Sequence, residues 1–168
     1  MHVASWRAAY AGLIDQTVLD AQSVDARDSM WASWIVRSDA GLPPVGHDVP
    51  VHRMLVAEDK GAITGWATFG PGRDEGTSAL GELAGLYAHP SAWSTGIGHA
   101  LITRSAELLR AEGFDEAFLW VLHGNDRAAR FYERHGWVAD GGEKIADAGG
   151  AKDLRELRHT RRLSGGAA

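Results

Sequence analysis

The sequence contains no cysteine. That absence excludes structural disulfides, thiolate zinc sites and a cysteine nucleophile, and it suits a reducing compartment. No apolar run approaches the roughly 18 residues that a membrane-spanning helix needs. The first residues, M-H-V-A-S-W-R-A-A-Y, lack a basic segment followed by an apolar core, so no secretory leader is visible and a cytoplasmic protein is expected. Positive charge is in short supply. With 17 Lys and Arg against 22 Asp and Glu, the formal net charge is −5, which excludes a general nucleic-acid binder because that class needs a basic face. Three of the five prolines (Pro43, Pro44 and Pro50) crowd one stretch, which reads as a long loop. Metal-ligand patterns are missing too. The eight histidines are scattered, His47 and His52 lie five apart in that loop, and no H-E-x-x-H occurs, so no metal is expected.

What remains is an ordinary globular composition, 45% apolar and 23% charged over 168 residues, enough for one sizeable core. We read residues 1–163 as a single domain and 164–168 as a flexible tail. Val3, Trp6 and Tyr10 recur at helical spacing and predict a helix over 2–12; a second is expected over 24–36. Residues 53–58 and 62–70 read as strands joined at Asp59-Lys60-Gly61, and a third strand, L-G-E-L-A-G-L-Y-A-H, ends before Pro90. A helix follows over 98–112 and stops at Gly113. The short apolar run A-F-L-W-V-L is expected to be a buried parallel strand. A helix capped by Asn125 or Asp126 then runs to His135, and residues 137–139 and 153–163 close the sheet around a glycine-rich loop. This order is an antiparallel meander leading into one right-handed strand–helix–strand crossover.

Between the crossover's first strand and its helix lies S-A-W-S-T-G-I-G-H-A-L-I, Ser91 to Ile102. Two glycines ahead of a helix are placed to cradle an anion on the first-turn N–H groups. A dinucleotide fingerprint would need a third glycine, but Leu101 stands there, and Asp115 and Glu116 precede the next strand instead of ending it. No Gly-Lys-Ser/Thr string supports a Walker A loop.

The string from Gly81 through this loop, followed by N-D-R-A-A-R-F-Y-E-R-H-G-W from Asn125, resembles the GNAT superfamily of acyl-CoA-dependent N-acyltransferases. There the first piece is the pyrophosphate loop, (Arg/Gln)-x-x-Gly-x-(Gly/Ala), and the second is the Asn…Phe-Tyr-x-x-x-Gly-(Phe/Trp) helix. V-A-S-W-R-A-A-Y looks like the family's first helix. The resemblance implies an α/β fold of the α+β type: a mixed, mostly antiparallel twisted sheet, flanked by helices, with one parallel crossover at the cofactor loop. It departs from the family in two ways. Trp93 stands at the Arg/Gln position, and the usual strand before the first helix is not seen. An unpaired sheet edge is an association hazard, so the chain is expected either to be less stable than one with an upstream strand or to pair with another chain, as in a homodimer.

The phosphate is then that of acetyl-CoA, the implied cosubstrate, held by Ser94, Thr95, Gly96, Ile97, Gly98, His99 and Ala100. If the parallel strands splay, backbone groups of Leu86, Tyr87 and Ala88 can pair with the pantetheine arm, with Gly85 as a bulge that starts the splay. Asn125 caps its helix and, by the resemblance, also meets the pantetheine. Glu82 is the expected general base, directly or through water, and Tyr132 the general acid at the leaving thiolate. Phe131 and Tyr132 are adjacent and are expected to face different ways. Arg127 and Arg130 are expected mainly in solvent, with cofactor phosphates the alternative. The acceptor is a small-molecule amine or a protein amino group, which Asp39, Asp48, Asp74 and Glu75 could favour as a cation; Trp31 and Trp34 could border its pocket. A non-catalytic acyl-CoA sensor is the alternative function.

Overall fold

A computed structural model describes residues 1–43 and 50–164 of the chain; His47, Asp48 and residues 165–168 lie outside them. Helix α1 (His2–Ala9) is followed by a short helix α2 (Gln16–Asp20), capped by Asp15, whose carboxylate accepts from Thr17 N. At five residues it is too short for periodicity to reveal. Helix α3 (Val24–Asp39) starts at the Ser23 cap and runs three residues beyond the predicted stop, to a turn at Gly41, whose left-handed backbone (φ 68°) lets Leu42 N bond back to Arg37 O at 2.8 Å.

Strands β1 (Arg53–Asp59) and β2 (Ala62–Pro71) form the expected hairpin. Lys60 and Gly61 have φ of 50° and 80°, the left-handed pair that a two-residue turn between right-twisted strands requires. Strand β3 (Gly81–Ala88) leads through a 3₁₀ turn at Pro90–Ala92 to helix α4 (Ile97–Ala111). Then come β4 (Glu116–Leu122), α5 (Asp126–Arg134), β5 (Val138–Ala148) and β6 (Ala151–Arg162). The expected short strand and glycine-rich loop at 137–152 are replaced by a long hairpin turning at Gly149-Gly150. Gly141 and Gly142 fall inside β5, where the register slips between Ala139 and Glu143. The glycines mark a local irregularity, not a loop, because β6 supplies pairing on both sides of it.

The sheet order is β1-β2-β3-β4-β6-β5. Only β3 and β4 are parallel, and they pair at two positions alone, Gly81 with Ala117 and Glu82 with Phe118. Beyond that point they part. The cause lies next door, where Thr68 and Phe69 of β2 face Gly85 and Leu83, leaving Ala84 as an extra residue in β3. Such a bulge bends its strand and frees backbone groups on the far edge. One face of the sheet, with Leu83, Ala117, Leu119 and Val121, packs on Leu101, Ile102 and Leu109 of α4 and covers buried Trp137. The other face meets α1 and α2 through Trp6, Ile14 and Leu19. Burial of these apolar side chains, at about 25 cal/mol per Å² of area removed from water, pins helices to both faces.

An aromatic cluster joins α1, α3 and the sheet. His2 contacts Trp31, Trp66 and Tyr87. Burial first, then Arg27, lowers the His2 pKa to about 4, so the ring is neutral at pH 7 and its Nδ1 accepts from Trp31 Nε1 at 3.0 Å. Trp31 and Trp34 thus belong to this packing and lie off the cleft described next.

Candidate active site

The parting of β3 and β4 opens a cleft of about 500 Å³ that crosses the sheet from the α4/α5 side to the α1 side. At the helix end, Ser94 and Gly96 both hold left-handed backbone, with φ of 63° and 93°. Alternating left- and right-handed residues aim successive N–H groups inward, a concavity suited to anions. The first amide of this turn that bonds within α4 is that of Ala100, to Gly96 O at 2.9 Å, which leaves those of Ile97, Gly98 and His99 for a ligand.

Ser94, Gly96, Gly98 and His99 line the cleft, but three expected loop residues do not. The Ala100 N–H is spent in the helix, the Thr95 hydroxyl turns back to Ala92 O, and the Ile97 side chain enters the core. A Cβ on Gly98 would lie 3.2 Å from the Phe131 ring, so this glycine makes room for α5 as well as for a ligand.

Trp93 is anchored by its own Nε1, which donates to Ala88 O at 2.9 Å. The Arg127 guanidinium stacks on it, 3.2 Å from the ring centroid, and lines the cleft. The cation missing from the loop thus arrives from α5 on an aromatic platform. Arg127 is exposed, as expected for it, while contact with its surroundings lowers its pKa through partial burial. Arg130 is exposed, 4.0 Å from Asp126.

Helix α5 begins at Asn125, whose Oδ1 accepts from Ala128 N at 3.2 Å. Asn125, Ala128 and Tyr132 follow at helical spacing and line the cleft together with Phe131. The two adjacent aromatics therefore share the site: their rings stand 5.4 Å apart and tilted by 69°, and both pack on the same core. Burial, and then the proximity of Tyr87, push the Tyr132 phenol well above its ordinary pKa. Tyr87 itself accepts from Trp6 Nε1 at 3.1 Å and shares a 3.0 Å hydrogen bond with Tyr10. Leu86, Tyr87 and Ala88 border the cleft along the freed edge of β3.

On the α1 side, two carboxylates line the cleft. Glu82 is almost wholly buried and held by one residue. Its Oε2 accepts from Arg73 N (3.0 Å) and Nε (2.9 Å), and its Oε1 from Nη2 (2.7 Å). A carboxylate offers about four acceptor positions, so one remains open, on Oε1. Neighbouring His52, whose pKa is lowered by burial and by Arg73, is bonded to Pro71 O and stays neutral. Glu156, on β6, is the second. Its nearest cation is Lys144 Nζ at 4.0 Å, and that ammonium is committed to Asp74 at 3.1 and 3.2 Å. Burial raises the Glu156 pKa, against the opposing pull of Lys144. Asp74 also accepts from Trp120 Nε1 at 2.7 Å, which braces this wall.

Tyr10, Arg73, Trp120, Lys144 and Glu156 were not singled out as site residues in the sequence, where Tyr10 served only to mark the first helix. They come from five separate elements or loops and carry no shared motif. Of the acids expected near the acceptor, Asp74 stands behind this wall, while Asp39 and Glu75 do not line the cleft.

The family model that matches the chain is that of the Acetyltransferase (GNAT) family, over residues 21–137. The chain belongs to this family. Among curated GNAT relatives, an uncharacterised N-acetyltransferase of Bacillus subtilis, YuaI, is 31% identical over 125 residues, covering 74% of this chain and 64% of that protein. A mycothiol acetyltransferase of Acidimicrobium ferrooxidans is 31% identical over 87 residues, 52% of this chain and 28% of its own length. The chain thus matches less than two thirds of the length of these relatives. Among solved structures, the PaiA N-acetyltransferase of Thermoplasma acidophilum in complex with coenzyme A superposes with a TM-score of 0.69 at 19% identity, covering 95% of this chain and 87% of that one. YncA of Salmonella typhimurium with acetyl-CoA gives 0.63 at 20%, over 99% and 89%. The GNAT fold expected from the loop and helix strings, with its single parallel pair, is the fold observed.

Proposed function

We propose that the chain is an N-acetyltransferase that moves the acetyl group of acetyl-CoA to a primary amine by direct attack in a ternary complex. The observation that carries this reading is the through-sheet cleft, which has an anion-binding turn at one end, free strand edge in the middle and carboxylates at the other. The N–H groups after Gly96, with Arg127 beside them, suit a pyrophosphate. The edge of β3 from Leu86 to Ala88, apart from Ala88 O, which already accepts from Trp93 Nε1 and Ser5 Oγ, suits the amides of the pantetheine arm by strand-like pairing. These residues fit acetyl-CoA by chemistry: anion donors, then alternating amide partners, leading to the gap that opens just beyond the Glu82–Phe118 pair.

The amine needs to lose a proton, and Glu82 is the base we assign. With three acceptor positions filled by Arg73, it receives that proton at the open side of Oε1, through a water. Tyr132 stands on the α5 side as donor to the departing sulfur. Its raised pKa keeps the phenol protonated throughout the neutral range. The same shift makes complete transfer to an ordinary thiolate uphill, so its hydrogen bond carries much of the effect.

Thiol release from acetyl-CoA, followed across a panel of primary amines, tests the reading. Release that depends on the amine is the expected result. Tight acetyl-CoA binding with no release on any amine would overturn it in favour of an acyl-CoA sensor.

A further inference from the structure

The acetyltransferase reading leaves Glu156 without a task. Of the two carboxylates lining the cleft, Glu82 is bound at three positions by Arg73, whereas Glu156 makes no hydrogen bond among the described residues. Its one close cation, Lys144, is held nearer to Asp74. Around this end stand two cations, Arg73 and Lys144, and three carboxylates, Asp74, Glu82 and Glu156. The surplus negative charge therefore resides on the group that is least engaged.

Where it points follows from strand alternation. Leu157 pairs with Val121, a core residue beneath α4, so its neighbour Glu156 faces the other side of the sheet, toward α1. Tyr132 approaches the gap from the α5 side. β4 lies between β6 and β3, and at the level of Glu156, opposite Leu122, β3 and β4 have already parted, so β6 stands farther from β3 than the about 10 Å of two ordinary strand spacings. A cation held by Glu156 is therefore not the nitrogen that attacks beside Tyr132. It is a second charge on the same acceptor, several bonds away.

We propose that Glu156 is the specificity-determining residue of the acceptor end, holding a second positive charge so that the preferred acceptors are amines joined to another cationic group. The proposal rests on the acetyltransferase reading and names its substrate class. The raised pKa of Glu156 agrees with a partly desolvated carboxylate that lacks a full partner until a ligand cation arrives. An acceptor with a carboxylate at the same place would meet like charge and be rejected.

Three amines of matched length test this at saturating acetyl-CoA: 1,5-diaminopentane, pentylamine and 5-aminopentanoate. For the wild type we expect the diamine to exceed pentylamine in kcat/KM by about tenfold or more, the worth of one charged hydrogen bond, with 5-aminopentanoate last. In Glu156→Gln the advantage of the diamine should shrink to about unity through its KM, and Glu156→Lys should favour 5-aminopentanoate. A diamine preference that survives in folded Glu156→Gln, or no preference in the wild type, overturns the proposal. Should the variants fail to fold, calorimetric titration of CoA-saturated wild type with diamine and pentylamine still decides, and equal affinities reject it. Wild type that turns over pentylamine without preference defeats the role of Glu156 alone. Wild type that does not bind acetyl-CoA defeats the acetyltransferase reading as well.

Discussion

Tyr132 and Phe131 are neighbours in sequence that do different work in one cleft. Burial keeps the proton of the Tyr132 phenol in place. Replacing it in Tyr132→Phe removes one hydroxyl and leaves the packing of the ring. With the phenol as donor to sulfur, kcat should fall by about 10²-fold, toward the low end for a positioned acid, while acetyl-CoA affinity stays level. Stopped-flow or steady-state thiol release measures the first and calorimetry the second. Near-full turnover in a variant whose chemistry limits the rate would remove Tyr132 from the mechanism. At this scale the sequence was informative where a residue sits in a string, as with Asn125, Gly96 and Tyr132. It was silent about Arg73, whose three hydrogen bonds to Glu82 depend on a loop folding back across nine residues of chain.

The loop–α4–α5 unit is where elements meet at the cofactor end. Gly96 stands at φ 93° with nothing within 4 Å of a Cβ, whereas Gly98 is crowded by the Phe131 ring at 3.2 Å. The two glycines are thus required for different reasons, backbone conformation for one and helix packing for the other. Gly96→Ala should therefore weaken acetyl-CoA binding through a strained turn, with a small loss of stability of about 1 kcal/mol. Gly98→Val should lose both, because α5 has to shift and carry Asn125, Arg127 and Tyr132 with it. Parallel thermal unfolding and calorimetric titration distinguish them, and equal behaviour of the two variants would show that the ring contact does not matter. The strings that resemble the family were readable because each lies within one local unit. The platform of Arg127 on Trp93 was not, since it joins a loop to a helix more than thirty residues on.

Over the whole molecule, the cleft divides the sheet into a β1-β2-β3 half and a β4-β6-β5 half, which α4 and the first helices tie together. A ligand lying between the halves should bind the folded state alone and stabilise both. At acetyl-CoA a hundredfold above its dissociation constant, linkage adds about 2.7 kcal/mol. For a domain of this size that raises the unfolding midpoint by roughly 5–10 °C. Differential scanning fluorimetry measures it, with NADH as the comparison, and a shift with NADH equal to that with acetyl-CoA would count against the assigned cosubstrate.

What the sequence by itself determined is local and periodic. It comprises the hairpin at Lys60-Gly61, the strand–helix–strand crossover, the caps and stops at Asn125 and Gly113, and the two strings that mark the family. These depend on backbone preferences and on side-chain period, which neighbours in the chain settle among themselves. The tertiary structure alone decided the rest. The insertion of β6 between β4 and β5, the continuation of β5 past Gly141 and Gly142, and the placing of Lys144 and Glu156 in the cleft all follow from pairing between distant strands. A glycine pair reads as a loop until a partner strand supplies hydrogen bonds on either side, and a carboxylate reads as surface until the sheet turns it toward a cavity.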